Sequence, residues 1–92
     1  MILIKQRDNN MLPEIIKNIT YTELVHDRVN KKLGTDLNHQ EIENWVQITL
    51  HKPDCKIQRK GKNYYITSKS QYVRLTINAS NYRLITVNRI DI

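Results

Sequence analysis

Cysteine is nearly missing from these 92 residues: Cys55 stands alone. One thiol excludes an intrachain disulfide and a cysteine-rich zinc site. Phenylalanine is absent, and five tyrosines with one tryptophan supply all the aromatic surface. With two glycines and two prolines, the chain has no low-complexity segment or linker. No apolar run approaches the ~18 residues of a membrane-crossing helix. The opening Met1-Ile2-Leu3-Ile4-Lys5 is too short for a signal-peptide core. A reducing, cytoplasmic setting without membrane contact is the expectation. Acidic residues are also scarce in one place. Residues 55–92 hold only Asp91 against eight lysines and arginines, a balance of +7, whereas residues 1–54 balance at −1. A half-chain this basic favours a polyanionic partner: nucleic acid, with RNA ahead of DNA, or an acidic protein or nucleoprotein surface.

What is present fits one soluble domain. Its composition, 39% hydrophobic and 26% charged, is that of a globular chain, and 92 residues make a single domain with one modest core. The hydrophobic period divides it. Residues 11–52 read as a helical half. Leu12-Pro13-Glu14 opens a short helix, with Pro13 suited to the first turn. Thr20-Tyr21-Thr22-Glu23 has the form of a capping box, with Thr20 as the cap. Tyr21, Leu24, Val25, Val29 and Leu33 then mark one apolar face, and Gly34 closes the helix. Asn38, with Glu41 three residues on, starts a second strong helix whose buried face is Ile42, Trp45, Val46, Thr49 and Leu50; Pro53 stops it.

Residues 55–92 read with period two. Ile57 to Lys60, a turn at Gly61-Lys62, and Asn63 to Thr67 predict a hairpin. Tyr72 to Asn78 and Tyr82 to Ile90 follow as strands. A three-residue loop pairs Asn78 with Tyr82, with Asn81 taking the left-handed conformation. It sends Ile85 and Val87 into the core with Val73, Leu75 and Ile77, and leaves Tyr82, Leu84, Thr86 and Asn88 outside with Arg74. The fold class is therefore α+β: two strong helices and one short one, packed on one face of an antiparallel meander of three to four strands. Residues 1–10 are an extension or an edge strand, with Met11 as an alternative start. An unpaired Tyr82–Asn88 edge offers a route to a homodimer.

Two sets of residues carry candidate chemistry. The free sheet face and hairpin tip combine cations with tyrosines: Arg59, Lys60, Lys62, Tyr64, Tyr65, Tyr72, Arg74 and Tyr82. Cations track phosphates, and tyrosine rings stack on unpaired bases. Since neighbours on a strand point to opposite sides, only one of Tyr64 and Tyr65 belongs to that face. The same side chains also suit protein docking. The second set is His26, Arg74 and a tyrosine such as Tyr82. They supply the base, cation and acid of a metal-independent ribonuclease if the helix edge meets the sheet face. Gly61-Lys62-Asn63 lacks the earlier glycine and the following Ser/Thr of a nucleotide-binding loop. His51 and Cys55 are two ligands at most, so no metal site is expected, and no motif calls for a cofactor.

Three stretches carry a resemblance: "YTELVHDRVNKKLG", "RKGKNYYITS" and "VRLTINASNYRLITVNRI". From Tyr21 to Ile90 the chain resembles a family of small bacterial proteins of unknown function. That family has a similar Lys-Gly-Lys-Asn-aromatic-Tyr turn, a Thr-Ile/Val-Asn strand and a closing Ile-Thr strand. The resemblance implies no activity. More loosely, helices before a sheet ending in "RLITV", and a helix bearing His26 and Arg28, are similar to the RelE/barnase-like ribonuclease toxins, although here the sheet contains neither histidine nor glutamate. That likeness implies a toxin-like ribonuclease. A small interaction protein, such as a mobile-element inhibitor docking on a host nucleoprotein complex, is the other alternative.

Overall fold

The computed structural model describes residues 11–90; the proposed edge strand at residues 1–10 lies outside them. Three helices come first: α1 (Leu12–Asn18), α2 (Glu23–Leu33) and α3 (His39–Leu50). Four strands follow: β1 (Lys56–Lys60), β2 (Asn63–Ser68), β3 (Val73–Asn78) and β4 (Leu84–Arg89). They form an antiparallel sheet in the order β1-β2-β3-β4, and the layout is the expected α+β class.

Local chemistry accounts for the helix ends. Pro13 sits in the first turn of α1. Asn38 caps α3 in a full box, accepting from the Glu41 N–H while Glu41 accepts from the Asn38 N–H. Gly34 closes α2 at φ 69°, in the left-handed region that glycine enters without steric cost. The expected Thr20 box does not form. Thr22 is the cap of α2, accepting from the Val25 N–H. Thr20 instead bridges to Arg83, donating to the Tyr82 carbonyl and accepting from the Leu84 N–H, 2.9 Å each. A second correction concerns Leu24, which is 75% exposed; His26 takes its place on the buried face.

The core lies between the helices and one sheet face. Ile15, Val29, Ile42, Val46 and Leu50 pack over Ile66, Leu75, Ile77 and Val87, all fully buried. Helix α2 runs along β4. Arg28 donates to the Ile85 carbonyl at 3.1 Å, and Arg89 donates to the Leu33 carbonyl at the α2 C-terminus at 2.6 Å. A cation there is favoured by the helix dipole. The β4 edge expected to be open thus has Thr20 and Arg28 on it.

The β3–β4 connection differs from expectation. Four residues, Ala79 to Tyr82, form the loop, since Asn78 donates to the Arg83 carbonyl and Ile77 pairs with Leu84. On its own this register would turn Val87 outward. A bulge restores it: Thr76 pairs with Thr86, so Ile85 is the extra residue. Leu84 and Val87 both enter the core, and Ile85 is only half-buried. The left-handed position belongs to Tyr82 (φ 58°), not Asn81, and Tyr72 repeats it at the end of the Lys69–Tyr72 loop. Both loops end Ser-Gln/Asn-Tyr. For a bulky residue this conformation costs roughly 1–2 kcal/mol.

Asp54 anchors the Lys69–Tyr72 loop. Its carboxylate accepts from the Ser70 N–H at 2.7 Å and from the Ser70 and Ser68 hydroxyls at 3.2 and 3.3 Å. The Ser70 N–H, ahead of the hydroxyls, holds its pKa below the ordinary carboxylate value. A depressed folded-state pKa contributes stability above the unfolded value near pH 4, and that contribution is lost as pH falls through the folded value. Urea unfolding between pH 5 and 2 is expected to show this loss, and Asp54→Asn to flatten it.

Candidate nucleic-acid interface

The sheet face away from the helices is built by alternation. Tyr64 pairs with Ile77 and points into the core, 6% exposed. Tyr65 therefore points outward, between Gln58 on β1 and Thr76 on β3. Arg74 is its diagonal neighbour on β3, opposite Thr67, and Lys60 its diagonal neighbour on β1, opposite Asn63. Strand geometry separates the Lys60 and Arg74 backbones by about 15 Å, with Tyr65 midway. Their side chains, with Gln58 and Gly61, line a shallow depression of about 420 Å³. The Arg74 Nε–H donates to Thr67 Oγ1 at 3.3 Å, and its terminal nitrogens have no partner among the described residues. No strand residue on this face is acidic.

The eight expected contact residues divide. Lys60, Tyr65 and Arg74 meet on the free face. Lys62 is exposed in the two-residue turn, where Gly61 takes φ 62° at the first position as a type II′ turn requires. Arg59 belongs to the helix side of β1, its guanidinium 5.5 Å from the centre of the Tyr64 ring. Tyr72 is 56% exposed, but lies at the opposite end of the sheet from the hairpin tip. Tyr82 packs partly against the core. Arg59 and Tyr64 therefore do not join the face by strand parity, Tyr72 because it lies in the loop before β3, and Tyr82 because the β3–β4 loop is one residue longer than expected. Gln58 and Gly61 were missed, although parity relative to Ile57 would have indicated Gln58.

The ribonuclease set does not converge. Arg74 is on the free face and Tyr82 packs against the core, while His26 is 5% exposed between α2 and α3. There His26 Nε2 lies 2.9 Å from Glu43 Oε2. Since a carboxylate accepts, Nε2 carries the hydrogen in this pair, and Nδ1 is enclosed and without a partner among the described residues. The ring stacks on His39 at 3.8 Å and on Tyr21 at 5.7 Å. His39 and Glu43, four residues apart on α3, were the legible half of this cluster. The Tyr21 hydroxyl is likewise enclosed and has no partner among the described residues, and burial, then the Glu43 charge, pushes its pKa upward. Removing a buried hydroxyl that makes no hydrogen bond is expected to stabilise: Tyr21→Phe should raise the unfolding free energy by about 1 kcal/mol in urea titration.

His51 and Cys55 turn away from each other. The His51 Nδ1–H donates to the Gln47 carbonyl at 2.7 Å. The buried Cys55 thiol donates to the Thr49 carbonyl at 2.9 Å, and burial pushes its pKa up. Among the described residues no helix is long and apolar enough to cross a membrane.

The model of a family described as "Protein of unknown function (DUF3781)" matches residues 13–88, from the first turn of α1 to the end of β4. The chain belongs to the DUF3781 family. No curated protein and no solved structure matches it. Every helix and strand of this DUF3781 domain is reached by that match, and so are both the Tyr65 face and the His26 cluster.

Proposed function

We propose that this DUF3781 domain binds single-stranded RNA through the free face of its sheet. The observation that carries the reading is Tyr65 set between Lys60 and Arg74 on a face whose described strand residues include no carboxylate. Unpaired bases stack on aromatic rings, while lysine and arginine neutralise the flanking phosphates. A shallow sheet suits splayed single strands better than a duplex, whose grooves call for an inserted helix or ribbon. Gln58 and Thr67 add polar groups within reach of a ribose 2′-hydroxyl, which favours RNA over DNA. With such a ligand, the reading puts the protein in the cytoplasm.

Fluorescence anisotropy with a labelled oligo-uridine tests the reading. Engagement of about three phosphates, at ~0.7 counterions each, predicts a slope of log K against log salt of about −2. Affinity would then fall roughly fifteenfold between 50 and 200 mM salt. Absence of binding, or binding indifferent to salt, would remove the reading.

A further inference from the structure

A second concavity lies on the other side of the molecule from the Tyr65 depression, between α2 and the start of β4. It encloses about 330 Å³. Its lining is unlike that of the sheet face. Val25 and Leu84 form an aliphatic floor, Leu24 and Ile85 flank it, and the guanidinium groups of Arg28 and Arg83 wall it. No aromatic ring contributes.

Each wall has a structural cause. Ile85 is there because the β4 bulge removes it from the core register. Leu24, 75% exposed, leaves the buried face of α2 and presents its whole side chain beside the cleft. Arg28 is held by one N–H on the Ile85 carbonyl, and its other donors have no partner among the described residues. The Arg83 backbone is fixed by its bridge to Thr20 and by its N–H on Asn81 Oδ1, while its guanidinium has no partner among the described residues. Glu23 is exposed in the first turn of α2, and Asp27 with Lys31 borders a smaller hollow of about 250 Å³ beyond Leu24 and Arg28. Around the cleft Arg28, Arg83 and Lys31 outnumber Glu23 and Asp27 by one, and of these five only the two arginines line it.

We propose that this cleft docks a short acidic and apolar segment of a partner protein, one that sets a leucine-like side chain on the floor and a carboxylate against each arginine. Guanidinium forks match carboxylates in two-point hydrogen bonds. An aliphatic floor gains from burying an aliphatic side chain, whereas nucleic-acid bases seek the ring faces that this cleft lacks. The site is separate from the RNA face and does not depend on it.

The test is a ¹⁵N-correlation NMR titration of the full chain with a peptide of alternating aspartate and leucine. Resonances of Leu24, Arg28 and residues 83–85 are expected to shift, with those of Tyr65 and Arg74 unmoved. Arg83→Glu and Leu24→Asp, both at exposed side chains, should each weaken binding at least tenfold while the rest of the spectrum stays native. Three results would overturn the proposal: no shifts at the cleft, equal binding of an aspartate-serine peptide of the same charge, or an oligo-uridine that shifts the same cleft resonances.

Discussion

Tyr65→Ala is expected to weaken binding of oligo-uridine by roughly fivefold to 150-fold. The estimate follows from the about 1–3 kcal/mol that one base stacked on an aromatic side chain contributes. The side chain is half-buried on the free face and among the described residues makes one marginal hydrogen bond, accepting from the Asn63 amide at 3.5 Å. Its loss should therefore leave stability nearly unchanged. Tyr65→Phe retains the ring and should bind as the parent does. Arg74→Ala should act differently, weakening binding less and lowering the salt slope by ~0.7 because one phosphate contact goes. Tyr72→Ala, at the far end of the sheet, serves as the control and should change nothing. Tyr64→Ala would instead destabilise the fold, since that ring is in the core. Binding by Tyr65→Ala equal to the parent's would mean that the cations act without a stacking platform, and the RNA reading would lose its specific part.

The contrast between Tyr64 and Tyr65 shows where sequence reasoning holds. Period two made clear that one of the pair faces outward. It could not say which, because that depends on which neighbours on β1 and β3 carry the apolar set, and Ile57, Ile66 and Leu75 had to be in register first. The helices were more legible. Asn38 with Glu41, Gly34 and Pro53 are local signals whose energetics involve only a few neighbouring residues, and each lies where it was expected. Thr20 misled because its N–H and carbonyl have a better use more than sixty residues away, at Tyr82 and Leu84, where the β3–β4 loop meets β4. No local pattern carries that information. His26 was misread for a related reason: its ring sits on the apolar face of α2 because α3 supplies a carboxylate and a second imidazole to meet it. Candidate site residues follow the same division. Lys60, Tyr65 and Arg74 come from regular strands, as do Arg59 and Tyr64, and the observed register separates the two sets by strand parity. Tyr72 and Tyr82 come from loops, and in the β3–β4 loop one added residue changes everything downstream.

The β3–β4 loop gives that last point a measurable form. A three-residue loop would have put Ile85 in the core and Leu84 outside; the four-residue loop with a bulge reverses them. Leu84 is 1% exposed, in register with Ile77 and packed in the main cluster, whereas Ile85 is half-buried beside Arg28. Leu84→Ala removes buried methyl groups and leaves a cavity, so it should cost about 2–5 kcal/mol in urea unfolding. Ile85→Ala forfeits about half of a full side-chain burial and should cost about 1 kcal/mol. If Leu84→Ala proves too unstable to measure, Leu84→Val against Ile85→Val preserves the order at smaller scale. The bulge makes a further demand: Ile85→Ala, though mild for stability, strips one apolar flank from the Arg28–Arg83 cleft and should weaken the aspartate-leucine peptide while sparing oligo-uridine. Equal costs for the two alanine variants would return Ile85 to the core and, with it, remove the wall on which the cleft depends.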